Sequence, residues 1–157
     1  VGAISSGPFA TRGDEALAVK VYSEATRLDR IKGVYPPTDT GSSGLAAAKA
    51  LVKLGYIKGY THAFGLEHVL GALQHGPGFT GITWLTGCDN PDENGVVKYI
   101  GSVRGGHEFE IIGCDVDAQL VWFANSWGAS WGKEGYFAMS FADYGTALQA
   151  RGDATFP

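Results

Sequence analysis

At 157 residues, 45% hydrophobic and 18% charged, the chain is long and apolar enough to bury a core, which argues against disorder. A formal charge of -4 with no Lys/Arg run makes nucleic acid a poor partner, and no apolar run approaches a membrane span. Two cysteines, Cys88 and Cys114, leave the redox compartment open, and 24 glycines favour tight turns and hairpins over a helical bundle.

Small and apolar residues run from Val1 and break at Gly7-Pro8, as in the tail of a helix that starts further upstream. The first residue is Val1, not Met, so a processed product, a fragment and an incomplete sequence all stay open. Asp14 and Glu15 open the next helix, where acids suit the positive end of the dipole. Leu17, Val21, Ala25 and Leu28 recur at helical spacing and predict a core-facing stripe. Gly33 to Asp39, with Pro36-Pro37, reads as a loop. Ser42 or Ser43 is a natural N-cap for the Ala-rich helix from Leu45 to Leu54. As nucleophiles these serines lack a Gly-x-Ser-x-Gly setting. Leu66, Val69, Leu70 and Leu73 mark a short third helix ending near His75-Gly76-Pro77. His62, His68 and His75 match no zinc spacing and read as surface or helix-end residues; neither a metal nor a cofactor is expected.

From Gly78 the chain reads as strands, the first from Phe79 to Leu85. Asp89 to Gly95 imitates the start of a calcium loop, but Gly101 stands where the closing Glu belongs. An Asn94-Gly95 hairpin turn, with Val96 to Ile100 returning, is the better reading. Strands at 108–112, 120–124 and 135–140 follow, then a short helix over 143–150 and a closing strand at 154–156. Helices first and strands second predict an α+β fold. The Arg-Gly-Asp triplets at 12–14 and 151–153 are too short to imply adhesion.

The most informative stretch begins at Gly105-Gly106-His107-Glu108 and ends in Asn125-Ser126-Trp127-Gly128-Ala129-Ser130-Trp131-Gly132-Lys133-Glu134-Gly135-Tyr136-Phe137. Adjacent antiparallel strands would bring His107 to Asn125, the acid/base half of a Cys-His-Asn system in which the amide orients the imidazole. The pattern fixes two tryptophans, three glycines and two further aromatics relative to one Asn, and it resembles the papain-like cysteine peptidases. The turn at 39–44 further resembles the compact branch of bacteria and their phages. The resemblance implies one papain-like domain over 1–157. A mainly helical lobe (1–76) would precede a mainly β, barrel-like antiparallel lobe (77–157), with the site in the cleft between them. It also implies His107 as general acid/base, Asn125 as its orienting residue and Trp127 as the shield of their bond. Gly41, Ser42 and Ser43 would line the cleft where an extended peptide pairs. Gly81, Gly106 and Glu108 would lie near the pocket for the second residue before the cut. Glu108 stands where many relatives hold a small residue, and either favours a basic side chain or points into the β lobe. The largest groove is expected along Gly41, Ser42, Ser43, Gly106, His107 and Trp127.

Such a peptidase also needs a thiolate and an oxyanion-hole Gln, and neither Cys88 nor Cys114 stands where the family keeps its nucleophile. By the resemblance, Val1-Gly2-Ala3-Ile4 is the body of the central helix, with the Cys about 10 Å (roughly two turns) upstream of Val1. The chain as given is then expected to be inactive. A papain-like domain without activity, serving as a binding or structural module in a phage particle, is the alternative, with other virion or host proteins as partners. A Cys-His amidase acting on cell-wall peptides is a third reading, against which the Asn-Ser-Trp-Gly pattern argues. No signal peptide is read, and a cytoplasmic or phage-particle location is expected rather than a membrane.

Overall fold

The computed structural model describes residues 15–157. The segment read as the body of the central helix, and the first Arg-Gly-Asp triplet, lie outside the described residues. Helix α1 (Glu15–Leu28) buries Leu17, Val21 and Ala25, the stripe set by their spacing. It packs on α2 (Gly44–Lys53) through Ala46, Ala50 and Leu51. Small alanines let the two helices approach closely. Ser43, not Ser42, caps α2, its hydroxyl accepting from the Ala46 N–H at 3.3 Å.

After β1 (Thr61–Ala63) and α3 (Leu66–Ala72) come β2 (Gly78–Leu85), β3 (Val103–Asp115), β4 (Leu120–Ala124) and β5 (Tyr136–Ser140). Helix α4 (Phe141–Gln149) and β6 (Asp153–Phe156) complete the chain. The strands form one antiparallel sheet in the order β1-β6-β2-β3-β4-β5. This is the α+β architecture expected, with one correction: the sheet is open, not barrel-like. Its edges are β1, only three residues long, and β5, which gains a single parallel bridge from Val96 to Ala138.

The predicted hairpin is the second correction. Gly95 does take a positive φ of 82° in a turn held by Asp92, whose carboxylate accepts from the N–H groups of Asn94 and Val96. The chain after it does not return along β2: Val97 donates instead to the Ala138 carbonyl of β5, and the partner of β2 is β3. Strand β1, within the part read as helical, had no pattern of its own and exists by pairing with β6.

Alternation in β2 puts Thr80, Ile82 and Trp84 on one buried face. They join Phe109, Ile111, Phe123, Phe137 and Tyr144 in the larger core. The other face turns toward α1 and α2, where Phe79 packs against the smaller one. Phe123 is fully buried, stacked on Phe137 with ring centres 4.9 Å apart, and Phe109 meets both edge-on. Phe123→Ala should therefore cost about 3–5 kcal/mol of unfolding free energy, read by urea titration. A loss below about 1 kcal/mol would mean that this aromatic layer is not the support of the sheet.

Candidate active site

The register of three strands sets the site. Ile82 pairs with His107 in the β2–β3 ladder, and Glu110 pairs with Ala124 in β3–β4. Asn125, one residue past Ala124, continues that ladder on the face that carries Phe109 and His107. It reaches His107 diagonally, within range of a long side chain. His107 Nε2 lies 2.9 Å from Asn125 Oδ1.

The tautomer follows from a second bond. Asn125 Oδ1 also accepts from the Ser126 N–H at 2.8 Å, which identifies that atom as the carbonyl oxygen. Nε2 must then donate, leaving the Nδ1 lone pair available to take a proton. Nδ1 has no hydrogen-bond partner among the described residues. The Asn125 Nδ2 is buried without a partner among the described residues, where the amide is held through its oxygen.

Aromatic rings enclose the imidazole. Trp127 stacks on it at 4.7 Å and 22°, while Trp84 meets it edge-on at 5.1 Å and 85°. Trp84 is itself fixed, its indole N–H donating to Asp89 Oδ1 at 2.9 Å. Trp131 donates to the Asp89 carbonyl at 3.0 Å and packs against Trp84 and Trp127. The glycines of the motif have a steric cause. Gly132 takes a φ of 61°, and a Cβ there would stand 2.4 Å from the Tyr136 carbonyl oxygen. Burial lowers the His107 pKa, partly offset by the bond to Asn125.

Gly106 and Glu108 flank His107, and side chains alternate, so Glu108 points to the opposite face of β3, toward Gly44 and Gly81. It does not enter the larger core. Gly41, Ser42 and Ser43 form the turn before α2. Tyr22 donates to Asp39 and accepts from the Gly41 N–H at 2.9 Å, and Ser42 donates to Asp29 at 2.7 Å. The structure thus joins His107, Asn125 and Trp127 in one contact group, and brings Glu108 and Gly81 to the end of the turn at Gly44. Among the described residues a cavity of about 560 Å³ lies at the β1–α3 edge, between His62, Phe64, His68, His75 and Pro77, and includes none of the six residues expected to line the groove. Those histidines do not assemble with any acid or thiol into a metal-binding group among the described residues.

Neither cysteine approaches the dyad. Cys88 is buried, donates to the Lys98 carbonyl at 3.5 Å, and its thiol is pushed up to about 11, chiefly by burial. Cys114 lies seven positions along β3 from His107, roughly 20 Å at strand rise. Three features around the site escaped the sequence reading. Alternation within 79–85 could have flagged Trp84, whereas Asp153 and the Tyr22–Asp39 clamp meet their partners only through the tertiary fold.

The family model of papain family cysteine proteases matches residues 75–151. By structure the chain is similar to xylellain, a cysteine protease from Xylella fastidiosa (TM-score 0.72, 19% identity, covering 87% of this chain and 67% of that one). It is also similar to the bromelain protease of Ananas comosus, solved with the E64 inhibitor (TM-score 0.58, 19% identity, 87% and 77%). The Carica candamarcensis cysteine protease CMS1MS2 gives a TM-score of 0.57 at 17% identity, covering 86% and 76%. No curated protein matches by sequence. Residues 75–151 thus carry the sequence pattern of papain family cysteine proteases, and the chain has the papain-like fold.

Because burial outweighs the Asn125 bond, His107 should titrate below the ordinary imidazole value in this chain. Asn125→Ala removes the one contribution that raises it, so the midpoint should fall further. Proton NMR of the His107 ring checks both, and a midpoint that rises in Asn125→Ala would contradict the bond as described.

Proposed function

We propose that the chain is the greater part of one papain-like domain that hydrolyses peptide bonds, with His107 as general acid/base and Asn125 as its orienting residue. The observation that carries this reading is the Nε2–Oδ1 bond of 2.9 Å beneath a stacked tryptophan, which leaves Nδ1 to serve a thiol. In the reaction, Nδ1 takes the thiol proton and the thiolate attacks the peptide carbonyl. The imidazolium then protonates the leaving amine, and water, deprotonated by the same nitrogen, releases the acid. Trp127 and Trp84 keep water from the His107–Asn125 bond and so strengthen it.

The thiol belongs outside the described residues, since Cys88 is held neutral and Cys114 is remote. We place it upstream of Val1, together with the oxyanion-hole Gln. Gly41, Ser42, Ser43, Gly81, Gly106 and Glu108 are the peptide-binding residues of this reading, with an extended chain as the substrate.

The 157-residue chain should cleave nothing. A chain extended upstream to carry the Cys and Gln should show cleavage of an unstructured protein that a thiol alkylator abolishes. His107→Ala in that longer chain should lower kcat/KM by about 100-fold or more, and Asn125→Ala by less, because the amide orients without transferring a proton. Alkylator-insensitive cleavage by the short chain would show that the nucleophile is elsewhere. An inert longer chain with its cysteine in place would instead make this a binding module.

A further inference from the structure

We propose that Asp89 is a positioning residue for the His107–Asn125 dyad: together with Arg104 it orients the tryptophans that enclose the imidazole. Its bearing on catalysis rests on the peptidase reading above; its bearing on the geometry of the dyad does not.

Asp89 follows the short 3-10 turn of Thr86–Cys88 at the end of β2. Its Oδ1 accepts from the Trp84 indole N–H at 2.9 Å, and its Oδ2 lies 3.2 Å from Arg104 Nε. Its backbone carbonyl accepts from the Trp131 indole N–H at 3.0 Å. The two indoles held in this way carry the rest of the enclosure. Trp84 meets His107 edge-on at 5.1 Å, and Trp84 and Trp131 each meet Trp127 edge-on, at 5.1 and 5.0 Å. Trp127 is the ring stacked on His107, and it is 43% exposed, so its placement depends on the rings behind it. One wall of the imidazole is thus fixed by Asp89 directly, and the other is propped by indoles that Asp89 fixes.

Arg104 reaches Asp89 through a β-bulge. In the β2–β3 ladder Trp84 pairs with Gly105 and Leu85 with Val103, so Arg104 is the extra residue. Bulges re-aim side chains and recur beside active sites. This one lies three residues before His107 and turns a guanidinium to the carboxylate that holds Trp84. Arg104 is exposed, and an exposed ion pair contributes little to stability. Its effect is orientation: Nε on Oδ2 leaves Oδ1 turned to the indole. Trp84 is buried, and a buried N–H left without an acceptor costs about 1–3 kcal/mol. Without the carboxylate, Trp84 would turn its N–H toward water and leave the edge of the imidazole.

The test follows NMR signals of the full chain: hydrogen exchange of the Trp84 and Trp131 indole N–H groups, and titration of the His107 ring. Asp89→Ala removes the acceptor of Trp84 and keeps the backbone acceptor of Trp131. Trp84 exchange should quicken by about tenfold or more, and Trp131 exchange should change little. Water admitted to the imidazole relieves the burial that lowers its pKa, so the His107 midpoint should rise. Asp89→Asn removes the same charge but keeps an oxygen for the indole, so its midpoint should stay below that of Asp89→Ala. The difference between these variants reads the indole bond apart from the charge. Equal midpoints in the two would overturn the positioning role, even with faster Trp84 exchange. Equal quickening of both indoles with a lowered Tm would reduce Asp89 to a stabilising residue and overturn it as well. Arg104→Gln, an exposed substitution that keeps the fold, should quicken Trp84 exchange and not Trp131 exchange; no change at Trp84 would remove Arg104 from the arrangement. In the chain extended upstream, Asp89→Asn should keep most of the kcat/KM that Asp89→Ala loses. An inert longer chain with the NMR results as expected would overturn the peptidase reading and leave the positioning of the dyad standing.

Discussion

The bond between His107 and Asn125 depends on a register that the rest of the sheet enforces. Slipping β4 against β3 by one residue would turn Asn125 to the opposite face and break the pair. What prevents the slip is the aromatic layer of Phe109, Phe123 and Phe137, each seated against the others and none able to face water without losing a large buried area. The chemistry of the site and the packing of the larger core are therefore one constraint. Trp84 belongs to both, touching Phe109 and Phe137 below and His107 and Trp127 above.

The face of the sheet toward the helices is organised by absence of bulk. Gly81 and Gly44 allow Glu108 and Asp153 to approach backbone that any Cβ would hold away. The same turn that brings in Gly44 is tied to α1 at Tyr22 and to the residues after it at Asp29. Packing of the helical part thus sets how closely the acids of β3 and β6 approach these two glycines.

What could be read from the sequence follows the range of the interactions involved. The dyad was legible because a long motif fixes Asn125 against Trp127, Trp131 and three glycines whose roles are local and steric. Helices α1 and α2 were legible from the spacing of Leu17, Val21 and Ala25 and from a serine cap. The hairpin after Gly95 was misread because its turn is right while its strand partner is not. Local chemistry made the turn, while the chain after it bonds to β5, a segment farther along the chain. The open sheet was hidden for the same reason, since closure depends on pairing between remote strands. Asp153, dismissed with its Arg-Gly-Asp triplet, acquires meaning only when β6 is laid beside β2.

On the proposed reading, the lowered pKa of His107 belongs to one half of a pair. In its aromatic enclosure the imidazolium loses hydration, and Asn125 returns only part of that cost through an oriented dipole. A thiolate at Nδ1 would supply a full opposite charge in the same dry setting and raise the imidazole pKa. The imidazolium in turn would lower the thiol's, so that the two protonation equilibria become one. On the proposed reading, charge on His107 is therefore favoured only when a thiolate stands beside it. Cys88 shows the reverse case within the same molecule, where burial without a nearby cation keeps a thiol protonated and unreactive.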